Sequence, residues 1–235
     1  AYTDGTDALT VNSGLIGFSD RYPRIPYCRS TMYNQRNFQG FKKCLPYIKC
    51  VDNFFKEYYE KYNTLIINES LEKNLLSFEE LALKTKENDS KIIFAGNGAS
   101  ASISSHGAVD FSKQGKIRAI TFNEANLITC LSNDYGYENW VSEAIKLYAN
   151  TGDLIVLISV SGESENLIKA AELSKEIGLT TITFTGRSKN NSLSKLGDIS
   201  FWVDSHAYNI VECIHMIWIT SVIDKIIGSD TYEVS

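Results

Sequence analysis

From Asp89 onward the chain alternates short apolar runs with stretches of helical period, and no other feature restricts its fold as much. KIIFAG (91–96), RAITF (118–122), DLIVLIS (153–159), TTITFTG (180–186) and ISFWVD (199–204) read as strands. Helical patterns follow over 99–113, 124–132, 138–149, 164–178 and 210–227, with a short one over 191–197. Alternation of this kind predicts an α/β domain: a doubly wound, mostly parallel sheet of about five strands with helices on both faces. Ahead of it, residues 47–87 carry apolar side chains at spacings of three and four, which predicts a helical pair broken near Asn68. The pair shows no chemistry of its own and reads as packing surface, including packing against another subunit. Residues 1–45 differ again. All three prolines, Pro23, Pro26 and Pro46, lie in this part or at its edge, and turn residues replace any sustained period. The expected division is an N-terminal extension of unreadable role over 1–45 and one domain over 46–235.

Composition narrows the partners. With 43% hydrophobic and 22% charged residues the chain can bury a real core. A net charge of −5 without a lysine or arginine cluster argues against nucleic acid or an anionic membrane as a partner. No apolar run reaches the roughly 18 residues of a membrane span, and the N-terminus lacks the basic flank and apolar core of a secretion signal. Five cysteines, Cys28, Cys44, Cys50, Cys130 and Cys213, are odd in number and irregular in spacing. They read as free thiols, and the expected compartment is cytoplasmic.

Ligands of open parallel sheets bind at the carboxyl ends of the strands. Three loops are expected there: GNGAS (96–100), SNDYGY near residue 134, and SVSGES (159–164). The last is the most telling. Ser159 ends an apolar run, Ser164 begins a helical pattern, and Gly162 permits a tight turn with close backbone approach. Free N–H groups of the first helical turn, its dipole, and hydroxyls from Ser159, Ser161 and Ser164 together make an anion site that needs no lysine or arginine. One serine alone would read as a helix cap; three around a glycine at a strand end point to phosphate. No G-K-[ST] follows, so this is not a Walker loop. GNGAS lacks the third glycine of the dinucleotide fingerprint, since residue 101 is alanine.

In combination and order, GNGAS followed by a helix carrying H-x-x-x-D, then SNDYGYE, then SVSGESEN, resembles the SIS (sugar isomerase) domain, and within it the phosphoheptose isomerase group. The resemblance covers roughly residues 47–228 and leaves 1–45 outside. It implies a phosphorylated sugar as ligand, a homodimer or homotetramer with sites between subunits, and ketose–aldose phosphate isomerisation. By motif, Ser159, Ser161 and Ser164 would bind phosphate, Asn97 and Ser100 would line the sugar site, and Asp134 would stand near it. Phosphoheptose isomerases carry H-x-x-x-E on the helix after the first loop, with the glutamate as base and both residues often on zinc. Here the pair is His106 and Asp110, four apart and so on one helical face.

The last helix departs from that pattern. The family has a glutamine and, eight residues on, a catalytic histidine; the matching positions here are Glu212 and Thr220. Threonine is no acid near neutral pH. His215, three residues after Glu212, and His206, just past the last strand, are the other histidines. The expected chemistry takes a proton from the carbon beside the carbonyl, passes through a cis-enediol and returns the proton, with Asp110 as base and His215 or His106 as acid. No cofactor is required by this scheme, although His106, Asp110, Glu212 and His215 together would make four candidate ligands for zinc. Two readings follow: an isomerase of a heptose-type ketose phosphate, or a phosphosugar-binding module with a regulatory or protein-partner role that has lost catalysis. Thr220 and the shortened acid Asp110 favour the second, and the retained carboxylate and histidine the first.

Overall fold

The structure, a computed structural model, describes residues 53–231. The extension over 1–45, with Cys28 and Cys44, lies outside the described residues, as does Cys50. Five strands form one sheet: β1 (Ile92–Gly96), β2 (Ala119–Thr121), β3 (Leu154–Ser159), β4 (Thr180–Thr185) and β5 (Ile199–Trp202). All are parallel, in the order β2-β1-β3-β4-β5. Among the described residues seven α-helices accompany them: α1 (Phe54–Leu65), α2 (Leu71–Glu87), α3 (Ala99–Lys113), α4 (Ala125–Tyr135), α5 (Trp140–Tyr148), α6 (Glu165–Glu176) and α7 (Tyr208–Ile227).

The double winding follows from the period of two along the strands. Ile92 and Phe94 of β1, with Leu154, Val156 and Ile158 of β3, face one core shared with Phe78 of α2, Phe111 of α3 and Trp218 of α7. Their neighbours Ile93, Ala95, Ile155 and Leu157 face a second core with Leu131 of α4, Trp140 and Ile145 of α5, and Leu167 of α6. Strands apolar at every position are what a sheet covered on both faces requires. Edge strand β2 is only partly buried and shrinks to three residues.

The helical pair breaks over residues 66–70, around the anticipated Asn68. NSLSKLG yields only a single 3-10 turn at Leu193–Lys195. Helix α4 runs on to Tyr135, so most of SNDYGY is its last turn rather than a loop; it stops at Gly136, whose φ of 86° the helix cannot continue. Among the described residues no helix is long and apolar enough to cross a membrane.

Candidate functional site

Strand order reverses between β1 and β3, and Gly96 pairs in register with Ile158. The two loops that leave these strands therefore stand side by side at the switch point of the sheet, where such folds hold their ligands.

In the serine loop, Ser159 is buried at the end of β3. The Gly162 N–H donates to the Ser159 carbonyl at 3.1 Å and to its Oγ at 3.2 Å, which closes the turn. Gly162 has φ 66°, and a Cβ there would lie 2.0 Å from Asn191 Oδ1, so only glycine fits. Ser164 holds the N-cap position of α6, yet its side chain makes no capping bond. Its Oγ lies instead 3.1 Å from Ser159 Oγ, which is 3.4 Å from Ser161 Oγ. Three hydroxyls thus cluster at the start of α6, where Leu167 and Ile168 N–H already donate to the Ser164 carbonyl and the Glu165 and Asn166 N–H groups are left for an anion. The segment after β4 braces the loop: Leu193 N–H donates to the Gly162 carbonyl at 2.9 Å. Ser192 donates from its hydroxyl at 2.7 Å and its N–H at 3.0 Å to the Glu163 carboxylate. Those two bonds, the hydroxyl's first, hold the Glu163 carboxyl below the usual carboxylate range.

Across the switch point, Gly96 lets Ser100 approach to a distance no Cβ would tolerate, and Ser100 is buried at the start of α3. Asn97 exchanges two 3.0 Å hydrogen bonds with the Asn166 amide and accepts a third, also 3.0 Å, from the Tyr137 hydroxyl. Sequence reasoning passed over Asn166 and Tyr137; both lie inside the quoted motifs SVSGESEN and SNDYGYE, which was the available signal. Asp134 is exposed in the last turn of α4 and is bonded to Asn133 rather than to the first loop.

His106 and Asp110 form the anticipated pair, with Nε2 and Oδ2 3.0 Å apart. They line a cavity of about 390 Å³ together with Thr220, Ile223, Asp224, Asp230 and Thr231. Thr220 therefore stands opposite the pair, with its hydroxyl donated back to the Met216 carbonyl at 3.0 Å. Glu212, Met216, Thr220 and Asp224 form a half-buried stripe at spacings of four along α7. Burial raises the Glu212 carboxyl above its ordinary value. No serine-loop residue lines this cavity, and at 1.5 Å rise per residue His106 and Asp110 lie roughly 10 and 16 Å along α3 from its start.

His215 requires a correction. It belongs to the next stripe of α7, with Val211, Trp218 and Val222, and is fully buried. Its Nε2 donates to the Thr185 carbonyl at 3.0 Å, and Phe184 and Trp218 flank the ring. Burial pushes its pKa down to about 4. It is a neutral core histidine here and does not join His106 and Asp110. The anticipated four-ligand zinc cluster is not assembled within the chain: three residues along α7 is a rotation of about 60°, enough to carry His215 into the core while Glu212 stays at its margin. Among the described residues no group of three or more His, Cys, Asp or Glu is placed to hold a metal. His206 is exposed ahead of α7, and Cys130 and Cys213 are free and exposed.

Comparison with known proteins supplies an independent line. The family model described as SIS domain matches residues 57–186. A phosphoheptose isomerase of Helicobacter pylori (strain P12) is 32% identical over 164 residues, 67% of this chain and 85% of that protein. A probable phosphoheptose isomerase of Thermoplasma volcanium is 38% identical over 147 residues, 57% of this chain and 73% of the relative. Among solved structures, phosphoheptose isomerase GmhA from Neisseria gonorrhoeae superposes with a TM-score of 0.67 at 27% identity, covering 73% of this chain and 94% of that one.

Proposed function

The chain belongs to the SIS-domain family, and from that membership we propose that it is a phosphosugar isomerase of the heptose type, interconverting a ketose phosphate and an aldose phosphate. The observation that carries the reading is the convergence of Ser159, Ser161 and Ser164 on the start of α6, beside Asn97 at the switch point. Hydroxyls and helix N–H groups suit a phosphate dianion, and the neighbouring amide suits sugar oxygens. The domain over 46–235 carries this activity, with 1–45 as an extension, and the protein works in the cytoplasm on a small phosphorylated sugar rather than on nucleic acid or membrane.

In this reading Asp110 takes the proton from the carbon next to the carbonyl. The electron pair moves to the carbonyl oxygen, a cis-enediol forms, and the proton returns to the neighbouring carbon. His106, bonded to Asp110, moves the oxygen-bound protons. This scheme needs no cofactor; among the described residues no group of three or more His, Cys, Asp or Glu is placed to hold a metal. Since pair and serine loop stand apart in one copy, the active unit is a homodimer or homotetramer in which the cavity of one copy faces the serine loop of another.

Incubation with sedoheptulose 7-phosphate, followed by NMR, should reveal an aldose phosphate and solvent-proton exchange at the carbon beside the carbonyl. Asp110→Asn should lower turnover by roughly 10²–10⁴-fold while binding persists. Thr220 specifically favours a second reading, a phosphosugar-binding module without turnover. Tight binding of the sugar phosphate with neither product nor exchange would select it.

A further inference from the structure

We propose that Tyr137 and Asn166 are positioning residues that lock the Asn97 amide so that it offers the crevice a hydrogen-bond donor, which selects a ligand with an acceptor oxygen on its sugar portion. The inference rests on the phosphosugar reading above and adds which way the site's polarity runs. Asn97 Oδ1 accepts from the Tyr137 hydroxyl and from Asn166 Nδ2, each at 3.0 Å. An amide oxygen has two lone pairs, and both are used. Asn97 Nδ2 has two hydrogens and gives one to Asn166 Oδ1 at 3.0 Å. One N–H is left over, and no acceptor capacity.

The two partners fix this state from opposite sides. Asn166 sits in the first turn of α6 and is only 2% exposed, so its amide has no solvent to turn toward. Tyr137 reaches Asn97 from the turn after α4, which Gly136 opens with its φ of 86°. Its ring lies 6.4 Å from that of Trp140. Asn97 follows β1 directly, beside the strand that ends in Ser159. With phosphate taken by the serine hydroxyls, the spare N–H falls to the sugar: the carbonyl oxygen of an open-chain ketose, or a hydroxyl oxygen acting as acceptor. Were the Tyr137 hydroxyl absent, one lone pair of Asn97 Oδ1 would be left unpartnered and the amide would be held in this orientation less firmly.

Tyr137→Phe removes the hydroxyl and keeps the ring. Calorimetric titration of the full chain and this variant with sedoheptulose 7-phosphate, and separately with inorganic phosphate, tests the idea. The variant should bind the sugar phosphate about fivefold more weakly and inorganic phosphate as tightly as the parent. Asn166→Ala, which removes both bonds that hold the Asn97 amide and adds no charge beside the serine loop, should shift binding in the same selective way. Equal weakening toward both ligands would mean a general disturbance of the serine loop and would overturn the proposal, as would unchanged sugar-phosphate affinity in Tyr137→Phe. Failure of the parent chain to bind sedoheptulose 7-phosphate at all would remove the functional reading and this proposal with it, an outcome distinct from parent and variant binding alike.

Discussion

Ser164 shows how one side chain can hold a regular position and do something other than the usual work there. It occupies the N-cap of α6, where a serine normally accepts from the helix, but its hydroxyl turns to Ser159 instead. The Glu165 and Asn166 N–H groups stay available to an anion. Ser161→Ala with Ser164→Ala should therefore weaken sugar-phosphate binding by about 2–3 kcal/mol, near one per lost hydrogen bond, with little loss of fold stability; calorimetry beside a urea titration separates the two. His215 makes the opposite case, a functional-looking residue spent on the core. Its pKa of about 4 lies below the ordinary 6.5. The unfolded chain therefore takes up the proton first, and stability that is full above pH 6.5 is lost as pH falls toward 4. The loss at this site is about 3 kcal/mol. Urea midpoints at pH 7 and pH 4.5 should differ more for the parent chain than for His215→Gln, which has nothing to titrate.

At the scale of elements, the serine loop is shaped by a segment from elsewhere in the chain. Asn191 is 1% exposed, donates to the Ser188 carbonyl at 2.8 Å and accepts from the Ser194 N–H at 2.8 Å. It cannot retreat from a Cβ placed on Gly162. Gly162→Ala adds strain at a positive φ to that clash and should cost about 2–4 kcal/mol by urea titration, along with most phosphate affinity. The glycine was legible in the sequence as a turn former. The neighbour that makes it obligatory was not, because Asn191 lies 29 residues away across β4. The same limit applies to α7. Its 3.6-residue period announces a helix, but apolar side chains lie on both its buried and its exposed sides, Ile217 at 41% exposure as well as the buried Ile214 and Trp218, so the buried stripe emerges only once β4 and β5 are packed against it.

For the whole molecule the property to predict is assembly. Helix α1 buries none of its residues, and Phe55 and Tyr59 are 67% and 64% exposed, with Ile67 at 75% just beyond. Aromatic surface of this extent suits a subunit contact. Light scattering at micromolar concentration should give a dimer or tetramer, and a clean monomer would refute both that and the shared site built on it. What the sequence determined by itself is the local and the periodic: five strands, their helices, the parallel winding, and the His106–Asp110 pair four residues apart. Each depends on nearest neighbours and backbone geometry, which a linear reading contains. Tertiary structure alone decided that Glu163 props Ser192, that Tyr137 and Asn166 hold Asn97, that Thr220 faces His106, and that His215 is core. These are contacts between residues dozens of positions apart. Their partners are chosen by how the helices rotate to bury their apolar stripes on the sheet, and that choice is made by the packed molecule as a whole.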